Sequence, residues 1–79
     1  MQHNYKIKLN NIDDVKRLNA ILCTIPCEFD INIGKGAIDA KSIMGLMALD
    51  ISKPLVLTAV CSDNILINNI NEKIKEFTV

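Results

Sequence analysis

Two hydrophobic periods take turns along this chain, and the order in which they do so leaves few architectures open. Tyr5, Ile7 and Leu9 alternate with Lys6 and Lys8, the period of two that gives a strand one buried face. After Asn10-Asn11 the period lengthens. Val15, Leu18, Ile21, Leu22 and Ile25 recur at helical spacing, with Asp13 and Asp14 in the first turn, where negative charge suits the helix dipole. A helix is predicted from about Asp13 to Ile25, stopped by Pro26. Phe29, Ile31 and Ile33 restore the alternation, and Gly34-Lys35-Gly36 reverses the chain into a short strand, Ala37 to Ala40, to make a hairpin. Ser42 precedes the helix formers Ile43 to Leu49, where its hydroxyl can accept a bond from an amide two or three residues on. Leu55 to Cys61 is a strand by composition, and Ser62-Asp63-Asn64 supplies caps for a last helix whose buried stripe is Ile67, Ile70, Ile74 and Phe77.

The order is βαββαβα, which predicts an α+β fold. One four-stranded, mostly antiparallel sheet carries three helices on one face and leaves the other to solvent, an open-faced sandwich. With 79 residues there is material for one core, so residues 1–79 are expected to form a single domain. In the fourth strand both registers are apolar, Leu55, Leu57, Ala59 and Cys61 on one side and Val56 and Val60 on the other. Burial on both faces, high β-propensity on a partly covered surface, or a contact with a partner or a second copy in a homodimer would each account for this.

A hydrophobic content of 49% against 23% charged residues is enough for collapse and excludes a disordered chain. Nine basic and nine acidic residues cancel, which removes the positive footprint that nucleic-acid binding needs. No run of about 18 apolar residues offers a membrane span, and Met1 to Leu9 lack a signal-peptide pattern, so a cytoplasmic setting is expected. Cys23, Cys27 and Cys61 are odd in number and without a framework spacing, which suits free, packing thiols in a reducing compartment. With Pro26 between Cys23 and Cys27 and the sole histidine at His3, no metal site and no cofactor are expected.

The run Lys41-Ser42-Ile43-Met44-Gly45, within Asp39 to Leu49, resembles the regulatory-serine segment of HPr, the histidine-containing phosphocarrier of the bacterial sugar phosphotransferase system. The element order matches that family over essentially the full length, while the sharp match covers about a dozen residues. In the family, the phosphoryl-accepting histidine begins the first helix in a Gly-Ile-His-Ala-Arg-Pro type motif. Here that place reads Asn11-Ile12-Asp13-Asp14-Val15-Lys16, so Asp13 takes the position of the histidine and Val15 that of the arginine. The resemblance therefore implies a protein that carries no phosphohistidine and is not an enzyme. It implies phosphorylation at Ser42 by a dedicated serine kinase, and partner docking through Lys41, Ile43, Met44 and Met47. Other proteins would be the partners, namely phosphotransferase enzymes, the kinase or a transcriptional regulator. Catabolite-repression HPr variants, which lack the histidine and keep the serine, are the relatives it resembles.

Each of these residues also has a plainer role. Ser42 serves as a helix cap whether or not it is modified, and Met44 and Met47 can pack a short amphipathic helix as well as form an adaptable contact surface. Asp13 and Asp14 suit a helix start, although a residual phosphocarrier using Asp13, or a self-associating structural module, is the alternative reading. Lys35 to Ser42 fails the phosphate-loop pattern, because Lys35 and Ala40 stand where both glycines are required. No Ser/His/Asp or Cys/His set can be assembled around one histidine near the terminus.

Overall fold

In a computed structural model of the chain, residues 1–79, four strands form one sheet. These are β1 (Gln2–Ile7), β2 (Glu28–Asn32), β3 (Ala37–Asp39) and β4 (Leu55–Val60), in the spatial order β1-β4-β2-β3. Every neighbouring pair is antiparallel. Since β1 and β2 both run against β4, they are parallel to each other with β4 between them, and the crossover that joins them is α1 (Ile12–Cys23). The helices α2 (Ile43–Met47) and α3 (Asn64–Lys73) complete the expected open sandwich.

β4 is hydrogen-bonded on both sides, which explains its apolar, β-branched composition. Leu57 and Ala59 are fully buried, while Val56 and Val60, on the other face, are 40% and 42% exposed. The second apolar register is thus a half-open valine pair on the solvent face. Phe29 and Ile31 of β2 lie opposite Ala59 and Leu57, so their side chains share the inner face and meet Leu18, Leu22, Ile67 and Ile70 in one core.

The helix ends follow local chemistry. Asn11 caps α1 by accepting from the Asp14 amide (2.8 Å), and the Asp14 carboxylate reaches back to the Asn10 amide (2.9 Å). α1 ends at Cys23, two residues short of the expected Ile25, because the residue before a proline is disfavoured in the helical region. Asp63 caps α3 through the Leu66 amide. That helix stops at Lys73, and the chain tightens into a 3-10 turn over Lys75–Phe77. The expected stripe Ile67, Ile70, Ile74 and Phe77 is nonetheless buried throughout. The tighter turn lets the Phe77 carbonyl accept from the Lys8 amide (2.8 Å) and the Val79 amide donate to Lys6 (3.0 Å), covering part of the free edge of β1.

One cysteine expectation is overturned. Cys27 and Cys61 are joined by a disulfide, with Cα atoms 4.8 Å apart, and only the exposed Cys23 is free. Glu28 pairs with Val60 at the end of the β2–β4 ladder, so the next residues, Cys27 and Cys61, stand directly across from one another. Sequence spacing could not show this, because the pairing depends on which strands are neighbours. No helix is long and apolar enough to cross a membrane.

Tyr5 lies on the inner side of β1, and its hydroxyl is buried without a hydrogen-bond partner. Burial pushes its phenol above the ordinary value near 10. Removing an unsatisfied buried group is a gain, so Tyr5→Phe is expected to stabilise the fold by about 1 kcal/mol in urea unfolding. Because the folded state holds the phenolic proton more tightly, stability should fall as pH rises above 10, and Tyr5→Phe should remove that loss. A Tyr5→Phe protein less stable than the parent at neutral pH would show that the hydroxyl is bonded.

Candidate functional site

The segment between β3 and α2 is built by short-range bonds. The Asp39 carboxylate accepts from the Lys41 amide (2.9 Å), and the Ser42 amide donates to the Asp39 carbonyl (3.1 Å). This turn delivers Ser42 to the start of α2, where its hydroxyl accepts from the Gly45 amide at 3.4 Å, the expected cap. α2 has five residues and so must be held by packing. Leu46 is fully buried and supplies most of that packing.

Gly45 sets how closely α2 approaches β3. A methyl group added there would lie 2.7 Å from Cγ2 of Ile38, an atom fixed directly on a branched Cβ. Gly45→Ala gains about 1 kcal/mol of helix propensity but forces overpacking worth about 1–3 kcal/mol. The variant should therefore lose up to about 2 kcal/mol in urea unfolding, and Ile38→Ala in the same chain should restore the propensity gain.

The opposite side of α2 is open. Met44 is 84% exposed, and Ile43 and Met47 are exposed beside it. With Ser42 at the head of the same helix, four of the five anticipated regulatory and docking residues form one continuous surface. Lys41 is placed differently. Its ammonium donates to the Ile25 carbonyl (2.8 Å) and sits 5.7 Å from the centre of the Phe29 ring, turned toward the end of α1 and away from the methionines.

Asp13 is exposed in the first turn of α1. The capping role falls to Asn11 and Asp14. Asp14 also pairs with Arg17 at 3.1 Å, and Arg17 reaches Glu76 while its guanidinium lies 5.2 Å from the centre of the Phe77 ring. The hydrogen bond with Glu76 pushes the Arg17 guanidinium still higher than its usual value. Arg17 thereby ties the start of α1 to the C-terminal turn; the Asp14/Arg17 spacing of three foreshadows the local pair, while the Glu76 contact depends on the fold. His3 lies in β1 with its ring tilted against Tyr5. No group of three or more His, Cys, Asp or Glu side chains is placed to hold a metal ion.

The sequence matches no protein-family model, and no curated protein matches it.

Proposed function

We propose that this chain is a non-enzymatic regulatory or adaptor protein of the HPr type. In this reading it cannot carry phosphate on histidine, docks cytoplasmic proteins through α2 and is switched at Ser42. The observation that carries the reading is the coincidence of Met44, 84% exposed, with Ser42, the N-cap of the five-residue helix that also bears Ile43 and Met47. A soluble protein gains nothing in its own folding from a thioether held that far into water, whereas methionine suits an adaptable contact surface. A phosphate on Ser42 would bring roughly −1.5 to −2 charge to the edge of that surface and change what it attracts.

The resemblance supplies the partners: enzymes of the sugar phosphotransferase system, a serine kinase or a transcriptional regulator. Arg17, the arginine nearest Asp13 in the chain, is engaged by Asp14 and Glu76, which leaves Asp13 without the guanidinium that the family places beside its phosphoryl group. The test is radiolabelled phosphate transfer in two arms. With ATP and an HPr-directed serine kinase, acid-stable label is expected on Ser42 and should vanish in Ser42→Ala. With phosphoenolpyruvate and the general phosphotransferase enzyme, no label is expected. Label in the second arm that disappears in Asp13→Ala would replace this reading with a phosphocarrier.

A further inference from the structure

The Cys27–Cys61 bond closes the end of two strands that the β2–β4 ladder already holds side by side. Both cysteines are buried, at 6% and 4% exposed, and Cys27 also lines a solvent-open cavity of about 380 Å³ shared with Glu28, Phe29, Asp30, Asp39 and Lys41. Two residues before Cys27, the Ile25 carbonyl accepts the Lys41 ammonium. Two residues after it, the Phe29 carbonyl accepts the Ala40 amide at 2.9 Å. The segment fixed by the disulfide therefore grips the two residues that lead into Ser42.

We propose that Cys27 and Cys61 form a reversible redox switch, and that Lys41 transmits its state to the cap of α2. This rests on α2 being the functional surface. A low-molecular-weight thiolate attacks one sulfur of the pair, forming a mixed disulfide and releasing the other cysteine as a thiolate. A second small thiolate then displaces the first cysteine, leaving two protein thiolates, which take up two protons from water, and one small-molecule disulfide. Oxidation is the reverse, with a small-molecule disulfide as the oxidant. Both protein states are folded, because paired strands hold the backbone and a buried thiol packs as a small hydrophobe. What reduction removes is the covalent restraint on residues 25–27, and with it the fixed position of the carbonyl that Lys41 grips.

The experiment uses the full chain equilibrated in mixtures of reduced and oxidised glutathione, quenched by alkylation and read by intact mass. The number of alkylated cysteines should rise from one to three across the series. Amide NMR of the fully reduced protein should keep the β1 and β4 resonances while those of residues 41–44 move. Lys41→Met should preserve the redox equilibrium but abolish the movement at residues 42–44. Three outcomes would each overturn the proposal: a pair that stays in one state across the whole series, global unfolding on reduction, or shifts confined to residues next to the two cysteines. If residues 42–44 respond but Ser42 takes no phosphate from ATP and kinase, the coupling stands and the functional reading falls.

Discussion

Leu46→Ala is expected to cost about 3–5 kcal/mol of unfolding free energy, whereas Met44→Ala, two positions earlier on the same helix, should change stability by less than about 0.5 kcal/mol. The contrast follows from how α2 is held. A helix of five residues gains little from its own hydrogen bonds, so it stays formed because Leu46 fills the core and Gly45 allows close contact with β3. Truncating Leu46 leaves a void that neighbours on a rigid sheet fill poorly, and it also removes the main anchor of the segment that presents Ser42. Met44 has almost no buried surface to lose. Urea titrations with unchanged slope would measure both costs, and amide exchange should show residues 43–47 opening first in Leu46→Ala. Equal losses for the two variants would mean that Met44 is packed, which would remove the exposed surface on which the functional reading depends.

The parts of this molecule that were legible in the sequence are those decided within a few residues. Alternation marks β1 and β2, the glycine turn and β-branched composition mark β3 and β4, Pro26 limits α1, and Ser42 before a run of helix formers marks a cap that the hydroxyl does make. The division of β4 into two sides was also readable, because period two admits only two faces, but both sides are apolar, so only the fold shows that Leu57 and Ala59 face inward and Val56 and Val60 outward. What escaped depends on which elements become neighbours. The Cys27–Cys61 bond requires β2 and β4 to be adjacent and in a given register, and the chain order βαββαβα does not state either. The family resemblance groups Lys41 with the docking residues, yet a four-carbon stem can turn either way, and the Ile25 carbonyl and the Phe29 ring draw it inward. Similarly, Asp13 and Asp14 were equivalent as charges near a helix start. Only the fold distinguishes Asp14, which bonds the Asn10 amide and Arg17, from Asp13, which points to water.

Replacing both half-cystines, Cys27→Ala with Cys61→Ala, is expected to lower stability by about 2–4 kcal/mol. A cross-link spanning 34 residues removes about 4 kcal/mol of unfolded-state entropy in the chain-entropy description. Residual structure in the unfolded chain brings the cost below that bound. For a domain of this size the loss corresponds to a fall in Tm of roughly 10–25 °C, against a total stability of about 4–12 kcal/mol. Wild type in reductant should melt with the double variant, and Cys23→Ala should melt with oxidised wild type, since Cys23 is exposed and unpaired. The size of the loss matters to the switch. A cost below the total leaves the reduced protein folded, so the thiol state acts on the segment gripped by Lys41, whereas a cost equal to the total would make the bond a staple without which the sheet does not form.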